Sequence, residues 1–166
     1  MEQRPHVIIE LSPLLQDFLY KEFECKEKGT ISLNTRNEIG KYINSMITVS
    51  PTPPRIPCSN ETITIILPIQ EWNHFVLSGN FITIVSWKEQ MIREYLDALY
   101  RLRIREFFNV GYEKGMNQDR LIKAFLELYG SKNNAANYDT IKKIDFRNRK
   151  KISKEIATAV QLSLNL

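Results

Sequence analysis

The sequence predicts an α+β fold: a small N-terminal sheet packed by helices, a long central helix, and a C-terminal helical hairpin. Three observations carry this. Short β-branched runs cluster in the first half of the chain, HVIIEL at 6–11, TITIIL at 62–67 and FITIV at 81–85, each bounded by turn or polar residues and too short for a helix. Apolar residues then recur at three- and four-residue steps from Met91 to Val110. Beyond Gly111, two further helical patterns are separated by the polar stretch SKNNAAN. With 166 residues, 43% of them hydrophobic, the chain can bury a real core, which excludes a disordered polymer. The expected organisation is an α+β domain at 1–110 followed by a helical region at 111–166.

The elements follow from local chemistry. After the strand HVIIEL, Ser12-Pro13 supplies an N-cap and a proline at the first helical position. Leu14, Leu15, Phe18, Leu19 and Phe23 continue at helical spacing to about Glu24. TISL at 30–33 reads as a short strand. Thr35 and Glu38 have the spacing of a capping box ahead of the stripe Ile39, Tyr42, Ile43, Met46, Ile47, so a second helix is expected over 36–47. SPTPPRIP at 50–57 holds four prolines in eight residues; it is expected to be an extended loop, since proline lacks the N–H that either ladder needs. A short helical turn is expected over 68–77. Ser86 and Glu89 suggest another capping box, opening a long helix over 87–110, with Gly111 expected to end it. Asn117 is an expected N-cap for a helix through Tyr129, and Gly130 an expected left-handed stop. Asn137 is expected to cap the last helix, which runs with little or no interruption toward Leu164.

Charge is distributed unevenly along this chain. Its formal net charge is +4, yet residues 1–137 hold equal numbers of basic and acidic side chains. The excess lies in Tyr138 to Lys154, where Lys142, Lys143, Arg147, Arg149, Lys150, Lys151 and Lys154 face only Asp139 and Asp145. At about 100° per residue, Lys143, Arg147, Lys150 and Lys154 fall within about 60° of one another, opposite Ile141, Ile144, Ile152 and Ile156. The segment is thus expected to rest one face on a core and turn a cationic ridge outward. Concentrated positive charge implies a polyanionic partner, and duplex DNA is the expected one, since each cation that neutralises a phosphate releases counterions.

Helix, glycine-containing turn and basic helix from Asn117 to Lys151 follow the order of a helix-turn-helix reader, with a longer turn than usual. In that reading Lys142, Lys143, Arg147, Lys150, Lys151 and Lys154 contact phosphates, while Asn148 and Arg149 reach base edges, because Asn suits adenine and Arg suits guanine. At the other end, HVIIEL and the two helices after it resemble ribbon-helix-helix proteins in their order of elements, although apolar residues line both faces of the strand. The C-terminal segments NQDRLIKAFLELYG and YDTIKKIDFRNRKK resemble the tails of small bacterial prophage and mobile-element proteins. That resemblance implies a DNA-associated accessory or regulatory role.

Enzymatic motifs are missing from the sequence: no GxxxxGK, GxGxxG or GxSxG occurs, and no serine has a histidine at suggestive spacing. Glu71 and His74 form half of a carboxylate–histidine pair, and His6 is the only other histidine. A non-enzymatic protein without metal or cofactor is therefore expected. Cys25 and Cys58 lack metal-ligand spacing and suit free thiols in a reducing compartment. No cationic-then-apolar leader opens the sequence and no apolar run approaches 18 residues, so a cytoplasmic protein without a membrane partner is expected. The alternative function is an assembly subunit, a homo-oligomer joined through Trp72, Trp87, Tyr100 and Phe108.

Overall fold

The structure, a computed structural model, describes residues 4–69 and 80–164. Its elements in chain order are β1 (His6–Glu10), α1 (Pro13–Glu22), β2 (Thr30–Ser32), α2 (Glu38–Met46), β3 (Thr48–Ser50), β4 (Thr62–Ile66), β5 (Phe81–Thr83), α3 (Ser86–Glu113), α4 (Gln118–Leu128) and α5 (Ala135–Leu164). This is an α+β fold. The chain forms two compact units, Met1–Ala98 and Leu99–Leu166. They part inside α3, which gives its first half to one unit and its second half to the other. The expected turn over 68–77, with Trp72, Glu71 and His74, lies mostly outside the described residues.

In the first unit, β1 pairs antiparallel with β4, and β2 pairs parallel with the other side of β4. The alternation of the sequence sets the buried face: Val7, Ile9 and Leu11, Ile31 and Leu33, and Ile63, Ile65 and Leu67 are all buried. Leu15, Phe18 and Leu19 of α1, Ile39 and Ile43 of α2, and Ile92 and Leu96 of α3 complete the core. Tyr42 and Tyr95 bring α2 and α3 together with ring centroids 4.2 Å apart. Because β1 is hydrogen-bonded to β4 of its own chain, a groove-entering ribbon shared between two chains does not describe it. A second, two-stranded sheet of β3 and β5 was only half expected. Thr48–Ser50 is too short, and too close to the prolines, to announce itself as a strand.

Capping differs from expectation in physically interpretable ways. Asn37, not Thr35, caps α2, its Oδ1 accepting from the Ile39 N–H at 2.8 Å. Glu89 does not turn back on its own helix start. Its Oε1 accepts from the Glu10 N–H at 2.9 Å and faces Arg93 at 3.1 Å, so it satisfies the outer edge of β1. The Glu10 carboxylate in turn receives the Cys58 and Ser59 N–H groups at 2.9 and 3.3 Å, which anchors the end of the proline-rich loop. A cavity of about 290 Å³ between β1, that loop, β5 and the start of α3 has Glu10 and Glu89 in its wall; both carboxylates are occupied by these structural contacts.

In the second unit, Tyr100, Ile104 and Phe108 of α3 form a buried stripe at four-residue steps. Leu121, Ile122, Phe125 and Leu126 of α4 and Ile141 and Ile144 of α5 are buried with it. Phe125 is the hub, with ring centroids of Tyr100, Phe107, Phe108 and Tyr129 at 5.7, 5.4, 6.3 and 4.7 Å. Tyr100 and Phe108 therefore fill the chain's own core, which removes them from the expected oligomer surface. Gly111 does not end α3. It is buried within the helix, and a Cβ there would overlap the Leu121 side chain. The helix continues to Glu113 and is closed by Gly115 at φ 74°.

Candidate nucleic-acid interface

α5 is one continuous helix through the whole basic segment. Asn134 caps it, accepting the Asn137 N–H at 2.8 Å, while the Asn137 amide reaches back to the Lys132 carbonyl at 2.8 Å. The connecting turn is accordingly shorter than the sequence suggested, and Asn137 lies inside the helix. On the inner face Ile141 and Ile144 are buried and Ile152 half-buried, but Ile156 is exposed. The isoleucine backing thus extends to Ile152 and stops one turn earlier than expected.

On the outer face Lys142, Lys143, Arg147, Lys150 and Lys154 are exposed. Among the described residues none of the five has an ion-pair partner. The other two expected cations are engaged. Lys151 lies 3.8 Å from Glu155, a loose i,i+4 pair. Arg149 places Nε 3.1 Å from the Asp145 carboxylate and its guanidinium 5.7 Å from the centre of the Tyr112 ring.

Asp145 is the residue that sequence reasoning undervalued. More than an offset to the neighbouring cations, it is a buried side chain, 2% exposed. Its Oδ2 accepts from the Tyr112 phenol at 2.8 Å and from the Gln118 amide as well as facing Arg149. One carboxylate thus ties α3, α4 and α5. Burial, followed by the hydrogen bond to Asp145, pushes the Tyr112 phenol up to about 12. A signal was available: at helical spacing Asp145 falls beside Ile141 and Ile144, so an acid there needs internal partners.

Neither Asn148 nor Arg149, the residues expected at base edges, shares the direction of the outward ridge. Asn148 falls on the same inner side, half-buried, with its Nδ2 enclosed and lacking an acceptor; a helical wheel that turns Ile141 and Ile144 inward turns Asn148 inward too. Arg149 is drawn toward Asp145 and the Tyr112 ring, with its Nε engaged and its side chain about half exposed. The helix-turn-helix reading also changes. The first seven residues of α5, Ala135–Ile141, contain one acid and no base, so no basic side chain stands at the N-terminal entry used by such readers. The cations sit in the middle of the helix.

Phe146 completes the outer face. It is 61% exposed and lies in an open concavity with Gln118, Asp139, Lys142, Lys143, Arg147 and Arg149. No helix among the described residues is long and apolar enough to cross a membrane. None of their His, Cys, Asp and Glu side chains form a group of three suited to a metal ion. No family model, curated protein or solved structure matches this chain.

Proposed function

We propose that this protein binds nucleic acid without catalysis, through phosphate contacts made by Lys142, Lys143, Arg147, Lys150 and Lys154. The observation that supports this reading best is five exposed cations on one helix with no ion-pair partner among the described residues, beside an arginine and a lysine that do have acids. Unpaired cations kept together repel one another, and a polyanion relieves that repulsion while releasing its own counterions. With Asn148 turned inward and Arg149 held, the contacts favour the backbone over base edges, so binding is general in sequence. An accessory role in handling the nucleic acid of a phage or mobile element fits a small non-catalytic binder of this kind.

The test is the salt dependence of binding to a labelled oligonucleotide. Five neutralised phosphates give a log–log slope of about −3.5 on a single strand or about −4.5 on a duplex. Reversing charge at K143E, R147E and K150E should flatten that slope and weaken binding at least a hundredfold, with the far-UV circular dichroism unchanged because all three side chains are exposed. Equal slopes for both proteins discard the ridge.

A second reading, assembly, is favoured by one observation. Beyond Ile152 the apolar Ile156 and Val160 of α5, one turn apart on the same face, are both exposed, the start of a stripe of the kind that pairs helices. Light scattering addresses it: a monomer at high micromolar concentration rejects this reading.

A further inference from the structure

We infer that Phe146 is a stacking platform for an unpaired base, so that the nucleic acid held by the cationic ridge is single-stranded; this rests on the phosphate-binding reading above. The aromatic side chains of the second unit divide sharply. Tyr100, Phe107, Phe108, Tyr112, Phe125 and Tyr129 all make ring contacts with one another. Tyr138 spends its hydroxyl on Asp119 at 3.1 Å. Phe146 alone in that unit has neither a ring contact nor a polar group to justify its position among the described residues. It projects to solvent at the helical spacings that place Lys142, Lys143, Arg149 and Lys150 beside it.

Covering the exposed ring of Phe146 would remove apolar surface from water, a gain open to any partner that brings a flat apolar face to the concavity. The cations around it select what that cover is. Lys142, Lys143 and Lys150 disfavour a cationic or plainly apolar partner and attract phosphates, which points to a ligand carrying both negative charge and flat apolar surface. A nucleic-acid strand has both, alternating along its length. Lys143 and Arg147 are separated by about 6 Å of helix rise, with Phe146 between them in sequence. A base can therefore lie on the ring while its flanking phosphates meet those two residues and Lys150. In a duplex the base faces are already stacked on each other, and only a wedge that unstacks them could reach one. On a single strand every base offers a face, whatever its identity. Asp139 at the rim of the concavity disfavours phosphate on that side and leaves the strand to follow Lys143, Arg147 and Lys150.

The experiment compares the full chain with F146A and F146W by fluorescence anisotropy against three labelled probes: oligothymidine, a mixed-sequence duplex of equal length, and an abasic sugar–phosphate oligomer. The expected result has three parts. Wild type prefers oligothymidine to the duplex. F146A loses between about 5-fold and 150-fold on oligothymidine, the range of one lost base stack, at an unchanged salt slope. F146A binds the abasic oligomer like wild type. F146W should retain strand binding and show added indole emission that the strand quenches. If F146A binds oligothymidine as wild type does while both keep a steep salt slope, stacking is overturned and the phosphate ridge stands. Tighter binding to the duplex than to oligothymidine, unaffected by F146A, overturns the single-strand assignment in the same way. Binding to none of the probes removes the ridge and the platform together.

Discussion

Asp145→Asn keeps the shape of the side chain and removes its charge, which isolates the contribution of the tie between α3, α4 and α5. Three donors converge on the carboxylate, the Tyr112 phenol, the Gln118 amide and Arg149 Nε. A hydrogen bond to an ionised group contributes about 1.5–3 kcal/mol and a neutral one about 0.5–1.5 kcal/mol, so three weakened bonds lose about 3 kcal/mol. Against this, the amide avoids part of the cost of burying a charge. That offset is limited to about 1–2 kcal/mol, well below the figure for a dry interior, because the Arg149 side chain is about half exposed and water already screens the pair. The expected net loss is about 1.5 kcal/mol. Asp145→Ala should cost more, about 3 kcal/mol, since it abandons the buried donors altogether.

Urea unfolding followed by far-UV circular dichroism measures both variants, and a double-mutant cycle with Tyr112→Phe gives the coupling, expected near 1 kcal/mol. Binding supplies a second readout of opposite sign. Without the carboxylate Arg149 is released, becoming a sixth free cation, and the salt slope on a single strand should steepen by about 0.7. A less stable protein that binds with a steeper salt slope is a combination that mere misfolding does not produce. If Asp145→Asn unfolds within 0.5 kcal/mol of wild type, or if its effect adds simply to that of Tyr112→Phe, the carboxylate is not the tie described here.

Gly111→Ala gains about 1 kcal/mol of helix propensity but drives a Cβ into the buried Leu121 side chain, an overpacking cost of about 1–3 kcal/mol; a net loss of about 1 kcal/mol is expected by urea titration, and a more stable variant would show that Leu121 yields freely. Asn148→Leu removes an enclosed Nδ2 that has no acceptor, so it should stabilise by about 1 kcal/mol and leave oligonucleotide affinity unchanged; weakened binding at constant stability would restore Asn148 as a contact. The raised phenol of Tyr112 has a definite sign. Its neutral form is the one the fold prefers, so its contribution is complete below pH 10 and is lost as pH rises through about 12. Tyr112→Phe should therefore remove a late-titrating step from the alkaline absorbance curve, and a curve missing only an early step contradicts the burial argument.

Much of the fold was legible because periodicity reports burial. The alternation in HVIIE and TITII and the four-residue recurrence of Tyr100, Ile104 and Phe108 each say which side faces inward. Thr48–Ser50 was not legible: three residues carry too little period to be told from the loop that follows, and only pairing with β5 makes them a strand. Gly111 misled for a different reason. Glycine at the end of a helical pattern normally marks a left-handed stop, and nothing in the neighbouring residues reveals that here it makes room for Leu121, ten positions on. At the candidate site, the helical wheel already held more than was taken from it. The rotation that gathers Lys143, Arg147, Lys150 and Lys154 also turns Asp145 and Asn148 toward the isoleucines and places Phe146 among the cations. Reading the segment by charge and residue type assigned Asn148 and Arg149 to bases. Their directions were the better guide, although Tyr112, the second partner of Arg149 beside Asp145, comes from α3 and could not be read from α5 alone.

The position of the cations along α5 has its own logic. Packing backs this helix from Ile141 to Ile152, and every described side chain from Ser153 to Leu162 is exposed. Helical structure in that distal stretch depends on propagation from the packed part, since an isolated stretch of such length is marginal in water. Four of the five free cations, Lys142, Lys143, Arg147 and Lys150, lie on the backed part, as does Phe146. A phosphate contact gains most from a side chain whose backbone is already fixed, because less freedom is lost on binding. A stacking ring needs this even more, since its plane must hold still against a base. Asp145 sits at the centre of the same stretch and anchors it to both other helices. The buried carboxylate and the outward cations are therefore two sides of one arrangement: the inner face fixes the rod that the outer face uses. Lys154, two residues past the last packed isoleucine, shares the charge but not the support, and its neutralisation should matter least of the five.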